Sequence, residues 1–381
     1  MAIKVMSVFG TRPEAIKMLP LVDKINHHPA LEGLVCVTAQ HREMLDQVLE
    51  AAGIVPDFDL DLMMPQQTLT DITAKVIHGL QKVLEQVHPD VLLIHGDTTT
   101  SFAAALAAFY QQITVGHVEA GLRTYDRYSP YPEEMNRNLS AKLTTLHFAP
   151  TTLNKENLIK ENIHDHIYVT GNTAIDALMK NVRPNYLFAD ETLRSLDLAN
   201  HDLLLLTAHR RENLGQPMRN IFMAVLDLLE LYPRLVVVYP VHKNPLVQDL
   251  ASEVLGNHPR VSLIEPLSMT DIHNLFALCH LVLTDSGGIQ EEAPALGKPT
   301  LVLRTETERP EALAAGTAKL VGVERENIVN QVRLLMEDKT EYEKMSLAKN
   351  PYGDGHASER ICDILATFYG EEQYYRVGNL N

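Results

Sequence analysis

Residues 281–292 read LVLTDSGGIQEE, an apolar run followed by a glycine-rich turn and an acidic segment. The run Leu281–Thr284 is typical of a buried strand, because it is short and almost wholly apolar. Gly287 and Gly288 permit a tight turn in which backbone N–H groups can approach a ligand closely. A helix that begins after this turn favours negative charge at its start. The stretch predicts a strand, a phosphate-binding turn and a helix; a plain turn before a solvated acidic helix is the alternative.

The same alternation of short apolar runs and amphipathic segments of helical length continues along the chain. Strand candidates in the first half are Ile3–Phe9, Leu34–Thr38, Val91–His95, Thr114–Val118 and Thr145–Ala149. Further candidates are Ile167–Thr170, Leu203–Ala208, Leu235–Pro240, Val261–Ile264, Leu281–Thr284 and Pro299–Leu303. Nearly continuous apolar strands separated by helices are typical of parallel sheets covered on both faces. We therefore predict an α/β protein with doubly wound, Rossmann-like sheets.

The length of the chain and the number of its strands predict two domains. A chain of 381 residues exceeds an ordinary single domain, and the candidate strands are too many for one small sheet. The segment Val169–Asn172 is a plausible crossover. We place the first Rossmann-like domain at residues 1–170 and the second at residues 171–356.

Composition narrows the choice of partner and compartment. The net charge of −16 argues against nucleic acid and against anionic membranes as partners. Cys36, Cys279 and Cys362 lie far apart and form no paired motif, which is typical of reduced thiols. The N-terminus begins a strand rather than a signal peptide, and no apolar run reaches membrane-spanning length. We expect a cytoplasmic protein.

Two cations follow the first strand, at the end where a doubly wound sheet binds ligands. Pro13 suits the first position of a helix, because the N–H that proline lacks would have no partner there. Arg12 and Lys17 then stand near the start of that helix. They are candidate phosphate ligands, or else solvated cations on a well-capped helix.

Three acids of the first half occupy comparable places. Asp97 follows the strand Val91–His95 and is either functional or the cap of the next helix. Glu119 follows a buried strand between small residues, which is unusual for a carboxylate unless it is paired or functional. Glu133 stands where a loop leads into a helix and could merely favour the helix dipole.

Cationic residues mark the strand ends of the second half. His209 is followed by two arginines, of which Arg210 is the first, and His242 and Arg309 follow later strands. Cations here and acids in the first half suit a ligand with a diphosphate that bridges two domains. The sequence contains no dinucleotide-binding glycine fingerprint, no Walker lysine loop and no zinc-binding His-Glu-x-x-His helix. We therefore expect no NAD and no essential metal, and the nucleotide would be part of the substrate.

These motifs, taken in order, resemble the non-hydrolysing UDP-N-acetylglucosamine 2-epimerases. The matching segments are 10–14, 40–41, 96–98, 117–123, 132–134, 209–213, 285–288 with 291–292, 307–311 and 350–355. Each segment alone is common in proteins. The ordered set covers almost the whole chain and is specific.

The resemblance implies a glycosyltransferase-B-type fold, with the two domains facing a cleft, and a homodimer that interconverts UDP-GlcNAc and UDP-ManNAc. It implies that a C-terminal helix, over residues 357–381, returns to the first domain. It also implies that the second domain holds the nucleotide. The residues concerned are Ser286, Gly287 and Gly288 for the diphosphate, Glu292 for the ribose, and Arg309 with His209 for the phosphates.

The chemistry of such a reaction sets clear demands. The C2 hydrogen of UDP-GlcNAc is not beside a carbonyl, so it becomes acidic either after oxidation at C3 or after the C1–O bond breaks. Since the NAD fingerprint is absent, we expect UDP to leave first, giving 2-acetamidoglucal, and to add back later. Cations must stabilise the leaving diphosphate, and acids must serve both faces of C2. The family-matched candidates are Arg12, Lys17, His209 and Arg309 as cations and Asp97, Glu119 and Glu133 as acids.

Some members of the family bind a second UDP-GlcNAc as an allosteric activator, and part of that site matches this chain. The matching positions are Gln40, His41, Arg210 and His242.

Three alternatives remain open. A retaining glycosyltransferase of the same fold would share the nucleotide-binding half but would transfer the sugar to an acceptor. A hydrolysing relative would release free ManNAc. A catalytically silent binder of nucleotide sugars would have no evident use for Asp97, Glu119, Glu133 and His209 together.

Overall fold

The computed structural model describes residues 2–39, 42–62, 64, 66–197 and 200–378, without the side chains of 43, 44 and 371–378. The chain divides into two compact units. Unit 1 comprises Met1–Ala177 with Tyr352–Asn381, and unit 2 comprises Leu178–Pro351.

The first 181 residues form seven strands and seven helices within the described part of the chain. The strands are β1 (Ile3–Phe9), β2 (Leu31–Val37), β3 (Phe58–Asp59), β4 (Val91–His95), β5 (Thr114–Val118), β6 (Leu146–Ala149) and β7 (Ile167–Val169). The helices are α1 (Arg12–His27), α2 (Arg42–Ala52), α3 (Leu69–Val87), α4 (Thr99–Tyr110), α5 (Glu133–Leu143), α6 (Thr152–Lys160) and α7 (Thr173–Asn181). The boundary between the units falls inside α7.

The strands of unit 1 form a parallel sheet in the order β3-β2-β1-β4-β5-β6-β7. The order reverses direction between β1 and β4, which makes this the topological switch point of a doubly wound sheet. Alternate residues of β1 lie in the cores on the two faces of the sheet. Val5 and Phe9 pack with α1, whereas Met6 and Val8 pack with α3 and α4. Both faces of the strand are buried, which explains its continuous apolar sequence.

Unit 2 repeats the plan with six strands and eight helices in its described residues, in addition to the end of α7. The strands are β8 (Asp202–Thr207), β9 (Leu235–Pro240), β10 (Val261–Ile264), β11 (Leu281–Thr284), β12 (Thr300–Val302) and β13 (Ala318–Leu320). The helices are α8 (Glu191–Arg194), α9 (Gln216–Leu231), α10 (Pro245–Leu255), α11 (Met269–Leu278), α12 (Ile289–Ala295), α13 (Pro310–Ala314), α14 (Arg325–Glu337) and α15 (Lys339–Ser346). A short 3₁₀ turn, Arg211–Asn213, precedes α9.

The sheet of unit 2 is parallel in the order β10-β9-β8-β11-β12-β13, with its switch point between β8 and β11. Its two faces again form separate cores. Leu204 and Leu206 pack with α9 and α14, whereas Leu203 and Leu205 pack with α11.

The last helix, α16 (Ala357–Gly378), packs in unit 1. Ile361 and Leu365 join the core beside α1. The buried carboxylate of Asp176 accepts hydrogen bonds from the backbone N–H groups of Ala357 (3.1 Å) and Ser358 (2.7 Å). Asp176 therefore satisfies donors that the first turn of a helix leaves without intrahelical partners.

The predicted fold class is confirmed, because the chain forms two parallel-sheet α/β units of the doubly wound kind. Within the described residues, no helix combines the length and apolarity needed to cross a membrane. Cys36, Cys279 and Cys362 are buried free thiols.

Gly121 meets both a conformational and a steric requirement of unit 1. Its φ is +89°, and an added Cβ would lie 2.2 Å from the backbone oxygen of Asn154. We expect Gly121→Ala to lower the free energy of unfolding by about 3 kcal/mol or more, since strain and overpacking add. The measurement is urea denaturation followed by circular dichroism.

Gly53 provides the control in the same unit. Its φ is +66°, but no heavy atom lies within 4 Å of its Cβ position. Gly53→Ala should cost only about 1 kcal/mol, the strain of a left-handed residue alone. Equal losses in the two variants would show that the backbone of Asn154 can move away and that the clash does not matter.

Candidate functional site

The predicted site residues lie in loops at the carboxyl ends of the central strands of each sheet. In unit 1 they follow β1, β4 and β5, and in unit 2 they follow β8, β9, β11 and β12. These loops flank the switch points, where the two halves of a doubly wound sheet diverge and leave room for a ligand.

In unit 1 the loops after β1 and β4 are joined by Glu14. The Oε2 atom of this buried carboxylate accepts hydrogen bonds from the backbone N–H groups of Gly10 (3.0 Å) and Thr11 (2.8 Å). Its Oε1 atom accepts from the hydroxyls of Thr98 (2.6 Å) and Ser101 (2.9 Å). Burial raises the pKa of Glu14, and these donors partly offset that effect. Glu14 therefore fixes the distance between the loops that carry Arg12 and Asp97.

Three side chains converge on one oxygen of Glu119. Lys17 Nζ lies 2.5 Å from Glu119 Oε2, Asn172 Nδ2 donates to the same atom at 3.0 Å, and His95 Nε2 lies 3.8 Å away. The backbone of Glu119 has a φ of +66°, in the left-handed region that residues other than glycine seldom adopt. Such strained positions cluster at functional sites, so the structure holds this carboxylate at some cost.

Asp97 is bound from helix α5. Arg137 donates to Asp97 Oδ2 through Nε (2.9 Å) and Nη2 (2.6 Å), and Asn136 Nδ2 donates to the Asp97 carbonyl (2.9 Å). Arg137 Nη1 also donates to buried Glu134 (3.0 Å). The cap of α4 is Thr98 rather than Asp97, so the alternative role as a helix cap does not apply to Asp97.

Two further predicted residues of unit 1, Glu133 and Arg12, form no ion pair with any residue that the structure describes. Glu133 begins α5, and its Oε2 atom is buried with no hydrogen-bond partner among the described residues. Arg12 is half-buried at the start of α1, and its guanidinium forms no ion pair with any described residue. Glu133 is thus available as a proton acceptor, and Arg12 is available to an anion.

Buried histidines lie behind this group, on three neighbouring strands. His95 is at the end of β4, His117 is on β5, and His147 is on β6 directly opposite His117. Burial lowers the pKa of His95 and His117 to about 4 and that of His147 to about 3. All three are therefore neutral at physiological pH.

In unit 2 a buried carboxylate, Asp285, organises the loop after β8. Its Oδ2 atom accepts hydrogen bonds from the backbone N–H groups of His209 and Arg210, each at 2.8 Å. It also accepts from Asn213 Nδ2 at 3.1 Å, while Arg210 Nε donates to the Asp285 carbonyl at 3.3 Å. Asp285 therefore holds the predicted anion-binding residues next to the glycine-rich turn that follows it.

The imidazole of His209 is positioned by two contacts. Its Nδ1 atom lies 3.4 Å from Asp285 Oδ1, and its ring stacks on that of His242 with centroids 5.3 Å apart. Burial lowers the pKa of His209, although the Asp285 carboxylate acts in the opposite sense. The ring is 37% exposed, so it can still contact a ligand.

The turn 286–288 leaves space beside its glycines. A Cβ on Gly287 would lie 3.8 Å from Arg210 Nη2, and one on Gly288 would lie 4.0 Å from Glu292 Oε1. Neither glycine has a positive φ, so neither the backbone conformation nor packing within the chain requires it. The space beside this turn lies next to both Arg210 and Glu292.

Arg309 is tied to the same turn through helix α12. Its Nε atom donates to Glu291, whose side chain is buried. Thr307 anchors the loop, since its hydroxyl donates to Gln290 (2.6 Å) and accepts from the Arg309 backbone N–H (3.1 Å). Arg309 lies just before α13, and Glu291 holds its guanidinium against α12, the helix that begins at the glycine-rich turn.

The structure thus groups the predicted residues into one set in each unit. Gln40 and His41 lie outside the described residues. Among the described residues, no group of three or more His, Cys, Asp or Glu is arranged to hold a metal ion. Sequence reasoning assigned no role to several supporting residues that the structure adds: Glu14, Asn172, Arg137, Asp285 and Glu291. Only Glu14 had a local signal, because Thr11-x-x-Glu14 is a capping-box pattern.

Two doubly wound parallel-sheet units, one carrying acids and the other carrying cations beside a glycine-rich turn, define an α/β enzyme of the glycosyltransferase-B type. A family model described as UDP-N-acetylglucosamine 2-epimerase matches residues 23–366. The UDP-N-acetylglucosamine 2-epimerase of Bacillus subtilis strain 168 is 55% identical over 370 residues, which cover 97% of this chain and 96% of that protein. The chain belongs to the UDP-N-acetylglucosamine 2-epimerase family, and such enzymes are isomerases.

Solved structures agree with this assignment. The UDP-GlcNAc 2-epimerase of Neisseria meningitidis, in a crystal structure bound to UDP-GlcNAc, is 49% identical with a TM-score of 0.81, covering 96% of this chain and 100% of that one. A co-structure of Staphylococcus aureus MnaA with UDP is 50% identical with a TM-score of 0.82, covering 96% of this chain and 97% of that one. The family predicted from the ordered motifs is confirmed.

The buried histidines of unit 1 make its stability depend on pH. In the unfolded chain each has the ordinary pKa of 6.5, whereas in the folded chain the pKa is about 4 for His95 and His117 and about 3 for His147. The unfolded chain therefore binds more protons than the folded chain below pH 6.5, and stability falls as the pH falls. Each of these histidines should lower the free energy of unfolding by about 2 kcal/mol between pH 7 and pH 5. The raised pKa values of the buried Glu14 and Asp176 carboxyls act in the opposite direction.

Urea denaturation at pH 7, 6 and 5 measures this effect. His147→Gln should reduce the change in the free energy of unfolding between pH 7 and pH 5 by about 2 kcal/mol, because one buried imidazole is gone. His27→Gln changes an exposed imidazole and should leave the dependence as it is. A free energy of unfolding that stays constant from pH 7 to pH 5 would contradict the prediction.

Proposed function

We propose that this chain interconverts UDP-GlcNAc and UDP-ManNAc by inverting C2 of the sugar, with elimination and re-addition of UDP. The observation that carries the proposal is the Glu119 carboxylate, held at a φ of +66° with Lys17 at 2.5 Å. The reaction needs a base that removes the C2 proton and a cation that stabilises the departing anion, and Glu119 and Lys17 place two such groups in contact. The bound ligands of related structures, UDP-GlcNAc and UDP, support this choice of substrate.

In this proposal unit 2 holds the nucleotide. The backbone of Ser286, Gly287 and Gly288 contacts the diphosphate, since no side chain fills the space beside the two glycines. Glu292 accepts hydrogen bonds from the ribose hydroxyls, because a carboxylate is an acceptor only. His209 and Arg309 bind the phosphates. Their buried partners, Asp285 and Glu291, orient them for that task.

Departure of UDP comes first. Breaking the C1–O bond leaves an oxocarbenium-like sugar whose C2 proton is acidic, and negative charge develops on the leaving diphosphate. Arg12 and Lys17 join His209 and Arg309 in stabilising that charge. Lys17 also contacts Glu119, so in this proposal its ammonium group is shared between the base and the leaving diphosphate.

Proton transfer follows at C2. One carboxylate removes the proton from C2 to give 2-acetamidoglucal. Another group, as a carboxylic acid, delivers a proton to the opposite face of C2 before UDP adds back. Glu119, Asp97 and Glu133 are the groups we assign to these steps. Asp97 accepts two hydrogen bonds from Arg137, whereas the buried Oε2 atom of Glu133 has no partner among the described residues.

The proposal includes several properties that accompany this chemistry. In this proposal the reaction uses neither NAD nor a metal, because departure of UDP makes the C2 proton acidic without oxidation at C3 and the cationic side chains stabilise the leaving diphosphate. The enzyme is a cytoplasmic homodimer, and its product supplies ManNAc for surface polysaccharide. A second UDP-GlcNAc binds at Arg210 and His242, with Gln40 and His41, and activates the enzyme. A sigmoidal dependence of rate on substrate concentration would report that second site, and a hyperbolic one would remove it.

Proton NMR of the protein with UDP-GlcNAc in deuterated water tests the proposal. We expect UDP-ManNAc to appear without added NAD, with deuterium at C2 of both sugars, because the C2 proton exchanges with solvent. Free ManNAc would indicate a hydrolysing enzyme. No reaction until an acceptor is supplied would indicate a glycosyltransferase, and either result would overturn the proposal.

Glu119→Gln separates catalysis from binding. The amide keeps the shape of the side chain but cannot accept a proton, so kcat should fall about 10²- to 10⁴-fold while the Kd for UDP changes little. Steady-state kinetics and calorimetric titration with UDP measure the two effects. Glu156→Gln, on the exposed face of α6 in the same unit, is the control and should retain full turnover. Near-normal turnover in Glu119→Gln would remove Glu119 from the acid–base role.

A further inference from the structure

His273 is a buried imidazole in α11 of unit 2, and its side chain is 1% exposed. Neither the sequence motifs nor the assigned site residues include it. Its neighbours on the helix are structural: Phe276 packs in the core, and Asp271 accepts hydrogen bonds from the Ser268 hydroxyl (2.7 Å) and from Tyr186 (3.0 Å). The polar atoms of His273 therefore need a separate explanation.

One ring nitrogen is accounted for. Asn181 Nδ2 donates to His273 Nδ1 at 3.1 Å. The end of α7 that carries Asn181 is itself fixed, because Asn274 Nδ2 donates to the Asn181 carbonyl at 2.9 Å and Asn274 Oδ1 accepts from the Arg183 backbone N–H at 2.9 Å. With Nδ1 acting as an acceptor, the proton of the neutral ring is on Nε2.

The other ring nitrogen points toward Glu292. His273 Nε2 lies 3.8 Å from Glu292 Oε2, and it is buried with no hydrogen-bond partner among the described residues. A buried N–H without a partner is costly and rare in folded proteins. The distance is slightly too long for a hydrogen bond, and a small rotation of the carboxylate closes it.

We propose that His273 is a positioning residue for recognition of the ribose. Its Nε2–H donates to Glu292 Oε2 and directs the second oxygen, Oε1, outward to the ribose hydroxyls. The inference rests on the ribose role of Glu292 in the proposed function. It adds that the acceptor geometry of Glu292 is set by a residue that never touches the ligand.

The positions of the two carboxylate oxygens of Glu292 agree with these separate roles. Glu292 is on α12, directly after the glycine-rich turn, and its Oε1 atom lies 4.0 Å from the Cβ position of Gly288. Oε1 therefore faces the turn, and Oε2 faces α11. A glutamate held by only one of its oxygens presents the other in a fixed direction, which favours a ligand with hydroxyl donors over one that lacks them.

The test compares binding of UDP with binding of 2′-deoxy-UDP by calorimetric titration. Loss of a hydroxyl that donates to a carboxylate should weaken binding to the wild-type protein about 10-fold or more. Glu292→Ala should reduce this preference to nearly none. His273→Asn should also reduce the preference for UDP over 2′-deoxy-UDP to nearly none. The asparagine amide reaches only the position of Nδ1, so Glu292 loses its hydrogen-bond donor.

His273→Gln is the matched control. Its amide nitrogen reaches the position of Nε2, so the preference for UDP should be largely retained. A merely structural role of His273 would weaken both nucleotides equally in both variants and leave their ratio unchanged. In the Glu292→Ala background, His273→Asn should have no further effect on the ratio.

The outcomes separate the two hypotheses. If Glu292→Ala abolishes the preference and His273→Asn retains it, the positioning role is wrong and the ribose role of Glu292 stands. If the wild-type protein shows no preference, or Glu292→Ala retains it, both are wrong. Epimerase activity is measured separately and does not enter the comparison.

A measurement on the wild-type protein covers the case in which His273→Asn fails to fold. A buried imidazole N–H gives a slowly exchanging ¹⁵N-coupled proton signal that moves downfield when its hydrogen bond shortens. We expect such a signal to move downfield on addition of UDP, and to do so in the wild-type protein but not in Glu292→Ala. A ring signal that is indifferent to UDP would overturn the proposal.

Discussion

In each unit one buried carboxylate joins the two loops at the switch point of the sheet. Glu14, after β1, accepts hydrogen bonds from Thr98 and Ser101 after β4. Asp285, after β11, accepts from the backbone of His209 after β8. The helices on either side of a switch point leave the sheet in opposite directions, so adjacent loops there have no regular backbone ladder between them. The carboxylates supply that connection, and the site residues depend on it.

The buried carboxylates of Glu14 and Asp285 are stabilised by different arrangements of hydrogen-bond donors. Burial of Glu14 raises its pKa, and four different donor residues partly compensate. Each hydrogen bond to a charged group stabilises by about 1.5–3 kcal/mol, so such a set can offset much of the desolvation cost. Asp285 has all of its donors on Oδ2 and on its carbonyl, while Oδ1 is buried and close to His209. That asymmetry fits a residue whose second oxygen orients an imidazole.

Much of the fold could be predicted from the sequence, because the strands are buried on both faces and read as apolar runs. The strands β3 (Phe58–Asp59) and β13 (Ala318–Leu320) were not predicted, since each is short and includes a charged residue, so neither contains an apolar run. Both are edge strands, where burial is less complete.

The site was only partly accessible to sequence reasoning. Local motifs indicated Asp97, Glu119 and the glycine-rich turn, because strand ends can be located from apolar runs. The supporting contacts could not be found in that way, since they join residues far apart in the chain. Lys17 and Glu119 are 102 positions apart, and His273 and Asn181 are 92 apart. Such pairs follow from the order of strands in the sheet, which no local pattern specifies.

Glycine illustrates why the structure adds information that the motif lacks. Gly121 and Gly287 both belong to motifs that identify the family, and the sequence gives no reason to treat them differently. The first is required by the chain itself, because its φ is +89° and a Cβ would contact the backbone of Asn154 at 2.2 Å. The second meets neither requirement, and its nearest neighbour is the Arg210 guanidinium at 3.8 Å. A glycine that the fold does not need, placed beside a cation at the end of a central strand, is best explained by a ligand that must approach the backbone there.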